Sequence, residues 1–184
     1  MLNNILKLKN RKINISDIEH YKRFSVFLPL IEQQESYYVL FEIRSDNLDK
    51  QPSEICFPGG KIEEGETKAE AAVRETCEEL NISKTHIEIV TELDTVVTPF
   101  NTIIYPFAGF ISDYKNTFSP DEVKEVFLVP LSFFTDNEPL YYKTNVNISV
   151  EEDFPFALIP KGKNYPWAKG TYPTYFYEYE GKVI

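Results

Sequence analysis

Apolar residues along this chain fall into short blocks whose period predicts mostly strands. "SVFLPLI" (Ser25–Ile31) and "SYYVLFEIRS" (Ser36–Ser45) read as two strands separated by the polar turn "EQQE". "NLDKQPSE" is a loop, and Pro58-Gly59-Gly60 in "CFPGGKI" is expected to break any regular element there. The period then changes. In "GETKAEAAVRETCEELN", Ala69, Ala72, Val73, Thr76 and Leu80 recur at helical spacing and form the expected buried stripe. "IEIVTEL", "TIIYPFAGFI" and "EVKEVFLVPL" predict further strands. "PLSFF" opens a short helix or turn, and "PTYFYEYEGKVI" one more strand or a hairpin. One strong helix among strands predicts a layered domain of helix and sheet.

The helix carries an unusual polar face. Glu75, Glu78 and Glu79 sit at i, i+3 and i+4, so their carboxylates share one side, away from the stripe. Like charges at these spacings cost roughly 0.2–0.5 kcal/mol per pair. Asn81 is a plausible left-handed C-terminal cap, which places all three acids where the helix dipole is negative. On spacing alone two readings stay open: a solvated acidic face, or a ligand set for a hard divalent cation. Upstream, Gly59 and Gly60 permit close approach of a backbone carbonyl to a metal. Thr67 and Glu70 form a capping-box pattern at the helix start. Arg74 is within reach of Glu66 or Glu75 and is expected to orient one of those carboxylates.

Composition narrows the class. The 184 residues suffice for one core, and 14 Phe with 12 Tyr argue against disorder. A net charge of −10 disfavours nucleic acid and requires bound cations or a local basic patch to receive an anionic substrate. Cys56 and Cys77 have no CxxC partner, so reduced thiols are expected, and with them a cytoplasmic setting. The N-terminal "MLNNILKLKNRKINI" has charges interrupting each apolar run, so no signal peptide is expected. No apolar run approaches the ~18 residues of a membrane span. His20 and His86 lack partners at catalytic spacing and read as polar surface.

Gly60, Glu66, Arg74, Glu75, Glu78 and Glu79 together resemble the Nudix box, G-x5-E-x7-R-E-U-x-E-E-x-G-U with U apolar, over residues 60–82. Ile82 fills the last apolar position. Thr76 stands where an aliphatic residue is usual, and Asn81 replaces the final glycine. Membership of the Nudix hydrolase superfamily implies an α/β fold, an α/β/α sandwich with a mixed central sheet, and Mg²⁺ or Mn²⁺ as cofactor. By the same resemblance Glu75, Glu78, Glu79 and the carbonyl of Gly59 look like metal ligands, with Glu75 a ligand or the base that activates water. Arg74 and Glu66 look like supports for that catalytic group. A further acid from a later loop is expected among Asp121, Glu122 and Glu125. Glu122 is the choice, beside the reading of a solvated start to a strand.

The stretch from Leu40 to Gly60, "LFEIRSDNLDKQPSEICFPGG", resembles the motif of the coenzyme A pyrophosphatase subgroup, L-L-T-x-R-[S/A]-x3-R-x3-G-x3-F-P-G-G. Leu40, Arg44, Ser45, Phe57, Pro58, Gly59 and Gly60 match, whereas Phe41, Glu42, Asp49 and Ser53 depart. Asp49 replaces a cation with an anion. The resemblance makes Arg44, Ser45 and Gly60 substrate-binding candidates and implies hydrolysis of coenzyme A or a derivative to 3′,5′-ADP and 4′-phosphopantetheine. ADP-ribose or another nucleoside diphosphate derivative is the alternative substrate class. A non-catalytic nucleotide-sensing domain is the alternative of another kind. The expected partner is a small nucleotide-diphosphate substrate, with no nucleic acid, no membrane, and a homodimer allowed for. The whole chain, 1–184, is expected to be one Nudix domain with residues 1–24 as an N-terminal extension. The subgroup usually continues past an Ile-Trp-Gly, whereas this chain stops at Ile184. Either it is a truncated form or it lacks that closing element.

Overall fold

The computed structural model describes residues 15–184. The N-terminal reading therefore lies, for residues 1–14, outside the described residues. In chain order the elements are β1 (Lys22–Gln33), β2 (Ser36–Arg44), β3 (Ile55–Cys56), β4 (Gly59–Lys61), helix α1 (Lys68–Leu80), β5 (Ile87–Glu92), β6 (Val96–Thr98) and β7 (Thr102–Ile111). There follow β8 (Val123–Pro130), the short helix α2 (Leu131–Asp136), β9 (Leu140–Asn147), β10 (Lys169–Phe176), β11 (Glu178–Tyr179) and β12 (Lys182–Val183). The chain groups into two compact units, one of residues up to 28 with 58–117, the other of residues 29–57 with 118–184.

In the first unit, β7 is the scaffold. It pairs antiparallel with β5 and, at its start, with β6. It also neighbours β1. Lys22 N–H donates to the Asn101 carbonyl and the Ser25 hydroxyl to the Tyr105 carbonyl, so partner numbers rise together and β1 runs parallel to β7. The fold is thus α/β with a mixed sheet. Alternation along β7 buries Ile103, Phe107 and Ile111 on one face. Those side chains, with Phe27, Ile62, Ala71, Ala72 and Leu80, form this unit's core.

Glycine corrects the expected break at residues 58–60. Gly59–Lys61 form β4, antiparallel to β1 with Phe24 opposite Lys61 and Val26 opposite Gly59. A Cβ on Gly59 would stand 2.5 Å from the Ser25 carbonyl oxygen and 2.7 Å from the Val26 Cα. Pro58 precedes the strand, where its missing N–H breaks no ladder bond, and its own carbonyl accepts from Phe27 N–H. The bare glycine backbone permits a pairing too close for any side chain.

Helix α1 begins and ends as its sequence predicts. Thr67 accepts from Glu70 N–H, and the Glu70 carboxylate accepts from Thr67 N–H at 2.8 Å, completing the capping box. Asn81 adopts φ 56°, ψ 44°, the left-handed C-cap. The Thr117 hydroxyl donates to the Leu80 carbonyl at 2.7 Å and satisfies one of the orphan helix carbonyls. The buried face is rotated from the expected stripe. Ala71, Ala72, Thr76, Glu79 and Leu80 are buried, whereas Ala69 and Val73 are half-buried. The departure at Thr76 is harmless because its buried hydroxyl donates to the Ala72 carbonyl at 2.7 Å.

In the second unit, β2 pairs antiparallel with the second half of β1, with β3 and with β8. Its core contains Ile31, Val39, Leu40, Phe41, Val123 and Val129. The Phe41 ring stacks on Phe57 at 4.8 Å and on Phe127 at 5.6 Å between centroids. β9 and β10 form a separate antiparallel ribbon, and β11 with β12 a terminal hairpin. Strand β9 was not expected. Its run "LYYKTNVN" is almost wholly exposed, so it shows no alternation of apolar and polar positions. Among the described residues no helix is long and apolar enough to cross a membrane.

The capping box makes helix stability depend on acid. The Thr67 backbone N–H, and next the Thr67 side chain, hold the Glu70 carboxyl below the ordinary glutamate value of 4.5. A depressed pKa contributes stability that is present above the unfolded value and lost as pH falls through the folded one. Glu70→Ala should therefore lower the urea midpoint at neutral pH, and the gap from wild type should close on acidification below 4.5. A gap that stays constant down to acid pH would show that the carboxylate is not the cap.

Candidate active site

Arg74 organises one end of the first unit. Its Nε donates to Glu66 Oε2 at 3.1 Å and its Nη2 to Glu66 Oε1 at 2.8 Å, a bidentate fork. Nη2 also donates to the Lys61 carbonyl at 3.1 Å. Nη1 faces the other way, 2.9 Å from Glu75 Oε1 and 3.2 Å from Glu78 Oε2. The expectation that Arg74 braces either Glu66 or Glu75 thus understates it, since one guanidinium holds both and Glu78 as well. The Arg74 pairing is the main cause, and the Glu63 backbone N–H the next, holding the Glu66 carboxyl below the usual carboxylate range. The same pairing raises the pKa of Arg74, so the cation is permanent.

Each remaining acid is positioned differently. The Glu75 carboxylate lies against the backbone of Gly60, where a Cβ would collide with Cδ and both oxygens. A side chain at 60 would have to displace the Glu75 carboxylate, so the bare backbone there leaves room for Glu75 in this position. Glu79 is turned inward, with 5% relative exposure, and its Oε2 accepts from Gly59 N–H at 2.8 Å. Glu78 stays outermost, its side chain 55% exposed. The expected convergence of the three carboxylates is thus divided: Arg74 gathers Glu75 and Glu78, while β4 takes Glu79. Among the described residues, no group of three or more His, Cys, Asp or Glu side chains is arranged as a metal-holding cluster.

Arg44, Ser45 and Glu122 are brought together in the second unit. Ser45 N–H donates to the Glu122 carbonyl at 2.8 Å, and Arg44 lies opposite Val123 on β8. Arg44 N–H donates to the Glu54 carbonyl at 3.0 Å, and Ser53 N–H to the Arg44 carbonyl at 3.2 Å, closing the 45–54 loop on Arg44. The Arg44 Nε is buried, and among the described residues nothing accepts a hydrogen bond from it.

Some participants escaped the sequence reading. The Lys61 carbonyl and the Glu63 N–H, which donates to Glu66 Oε1 at 2.6 Å, are backbone groups with no compositional signal. Glu42 did carry one, a charge inside the apolar run "VLFEI". It is fully buried on β2, and the Cys56 thiol donates to its Oε1 at 3.3 Å. Cys56 and Cys77 form no disulfide.

A family model described as the NUDIX domain matches residues 21–145. The chain belongs to the Nudix family. The mouse "Peroxisomal coenzyme A diphosphatase NUDT7" is 37% identical over 66% of this chain and 52% of its own length. The Caenorhabditis elegans "Nudix hydrolase 3" is 36% identical over 64% of this chain and 51% of its own. The chain thus spans about half the length of these curated relatives. Among solved structures, the M. smegmatis Nudix hydrolase RenU aligns with a TM-score of 0.53 at 17% identity, covering 64% of this chain and 74% of that one. A C. elegans Ap4A hydrolase complex aligns at 0.51 and 17%, covering 62% and 84%. At such identities the structural likeness concerns the fold.

The Nudix box accounts for the glycine at 60. Gly60→Ala puts a methyl where the Glu75 carboxylate lies, and the carboxylate, being the end of a flexible side chain, should swing away from Arg74 at little cost in stability. A crystal structure of the variant that keeps Glu75 paired with Arg74 would show that Glu75 does not need the bare backbone.

Proposed function

We propose that this Nudix protein is a Mg²⁺- or Mn²⁺-dependent pyrophosphohydrolase that cleaves coenzyme A or a derivative to 3′,5′-ADP and 4′-phosphopantetheine. The observation carrying this reading is the Glu66–Arg74–Glu75 chain, which holds a carboxylate in the second half of α1. The donor type suits a hard divalent ion, since Glu75, Glu78 and Glu79 offer carboxylate oxygens in the last turns of a helix whose dipole attracts cations, although Arg74 holds two of them and Gly59 N–H the third. Glu75, Glu78, Glu79 and the Gly59 carbonyl would hold it, with Glu122 as the later acid. A bound divalent ion supplies Lewis-acid stabilisation of the pyrophosphate oxygens and offsets the repulsion between an acidic protein and its anionic substrate. Glu75, held at Oε1 by Arg74 beside Gly60, would serve either as one of these ligands or as the base that takes the proton of an attacking water. Glu79, anchored by Gly59 N–H, keeps one orientation.

Substrate class is assigned from the resemblance of residues 40–60 to the coenzyme A pyrophosphatase subgroup, and the name of the mouse relative supports it. Arg44 has a buried Nε lacking a hydrogen-bond acceptor among the described residues, which suits it to a phosphate oxygen. Ser45 and Gly60 complete the proposed substrate contacts. The family match covers residues 21–145, and the proposal of one Nudix domain over 1–184 extends it at both ends. A cytoplasmic setting completes the proposal, with a homodimer allowed for. Asp49 favours a second reading, ADP-ribose or another nucleoside diphosphate derivative, because it puts an anion where the subgroup has an arginine. The intact set of acids disfavours a purely sensing domain.

The deciding measurement is a substrate panel with product identification, run with Mg²⁺, Mn²⁺ or chelator. Turnover should vanish in chelator. Glu79→Gln keeps the shape and an acceptor for Gly59 N–H but removes charge from the metal's ligand set. It should lower kcat by at least about 100-fold with the fold intact. Full activity of that variant in chelator would refute the metal assignment.

Arg44 tests the substrate. If it meets the 3′-phosphate of coenzyme A, Arg44→Ala loses a charge-assisted bond of about 1.5–3 kcal/mol for coenzyme A only. The KM for coenzyme A should then rise about 10-fold or more while that for dephospho-coenzyme A barely moves. Equal effects on both would place the 3′-phosphate elsewhere. Cleavage of ADP-ribose alone would move the protein to the second reading.

A further inference from the structure

We infer that Lys124 is a second cation for the substrate phosphate proposed at Arg44, standing in for the arginine that Asp49 replaces. This rests on the reading of Arg44 as a phosphate contact, and it concerns the second unit alone. Ile43 pairs with Glu125 and Arg44 with Val123, so the register between β2 and β8 skips Lys124. Lys124 is thus the extra residue of a bulge, which takes a side chain out of the strand's regular alternation. Its ammonium donates to Asp46 Oδ2 at 2.7 Å. The other oxygen of Asp46 accepts from the Ser53 hydroxyl, and Ser53 N–H donates to the Arg44 carbonyl at 3.2 Å. Ser53 stands where the subgroup has glycine and keeps a left-handed backbone, φ 62°. The loop has therefore been rebuilt around Asp46 at the residues that depart from the subgroup.

The links Arg44–Ser53–Asp46–Lys124 bring an ammonium to the base of the same loop as Arg44. There the Arg44 Nε is buried and, among the described residues, has no acceptor. An ammonium has three donors and Asp46 takes one, so Lys124 can bind a phosphate oxygen without leaving its carboxylate. A phosphate monoester carries a charge of about −1.5 to −2 at neutral pH, more than one guanidinium neutralises. The two cations divide the work. Arg44 is held by backbone bonds to Glu54 and Ser53, whereas Lys124 is half-exposed on a flexible stem and can follow the ligand. Asp46 offsets part of the positive charge and so sets how strongly the pair attracts an anion.

Equilibrium binding of 3′,5′-ADP and of 5′-AMP to the full chain, measured by isothermal titration calorimetry at fixed Mg²⁺, tests this without turnover. The two nucleotides differ by the phosphate in question. Lys124→Gln should weaken 3′,5′-ADP binding about fivefold and 5′-AMP binding less than twofold. Asp46→Asn keeps an acceptor for Ser53 but removes the opposing charge, and should tighten 3′,5′-ADP binding at least about twofold. Both substitutions break the same ion pair, so a lysine that only braces the loop predicts changes of one sign, equal for the two nucleotides. That outcome, or unchanged 3′,5′-ADP binding in Lys124→Gln, overturns the inference. Should Lys124→Gln fail to fold, Asp46→Asn decides alone, and weaker or unchanged 3′,5′-ADP binding there overturns it. A wild-type protein that binds the two nucleotides equally refutes the phosphate reading of Arg44, and the inference with it. A wild type that prefers 3′,5′-ADP by a margin Lys124→Gln does not reduce overturns the role of Lys124 alone.

Discussion

Three glutamates in the last turns of a helix repel one another and face the negative end of its dipole, and the first unit is built around the one guanidinium that answers them. Arg74 contacts Glu66, Glu75 and Glu78 and the Lys61 carbonyl, so it ties the loop before α1 to the acidic face of α1 itself. Removing any one acid leaves the arginine with other partners, whereas removing the arginine leaves all of them exposed to one another. The asymmetry explains why the site can tolerate an outermost, half-solvated Glu78 but confines Glu75. Glu75 lies against the bare backbone of Gly60, whereas Glu78 is left on the surface.

The second constraint is distance between backbones. β4 approaches β1 so closely that Gly59 has no space for a Cβ, and the same strand offers its N–H to Glu79. Burying Glu79 at the edge of the core would be costly without that donor. The glycine pair therefore serves two purposes at once: Gly59 lets the strand come near enough to anchor Glu79, and Gly60 leaves room for Glu75. Neither task depends on the loop flexibility usually attributed to paired glycines.

Legibility of the sequence follows from which forces are local. Thr67, Glu70 and Asn81 act within a turn of their own helix, so the caps were readable from residue type and spacing, as was β7 from its alternating run. The face of α1 that is buried was readable only in part. Apolar spacing alone points to Ala69 and Val73, but Glu79 is turned inward onto the Gly59 N–H and Ala71 is buried on the same side. That is a tertiary contact twenty residues distant in sequence, invisible to periodicity. β4 was misread for a related reason: glycine is scored as a breaker because it lacks a side chain, and here the lack of a side chain is what permits the pairing. β9 was missed because it is exposed on both faces, so pairing with β10 imposes no hydrophobic pattern.

The second unit shows how a charge reversal can be accommodated without unravelling a loop. The segment 45–54 is closed by backbone bonds at Arg44 and Glu54 and braced by the Lys124 ammonium on Asp46 Oδ2 at 2.7 Å. Lys124, and after it the Ser53 hydroxyl, hold the Asp46 carboxyl below its ordinary value. Among the described residues, none of the bonds that close this loop involves Asp49, unlike Asp46, so the loop's closure does not depend on that anion. Arg44, by contrast, is fixed through its own backbone at both ends of the loop while its buried Nε has no acceptor among the described residues. A donor kept buried and unbonded by a rigid main chain costs stability. That unbonded donor lies at the base of the loop that carries Asp49, so the proposed substrate contact is to be tested at these two residues and not within the Nudix box.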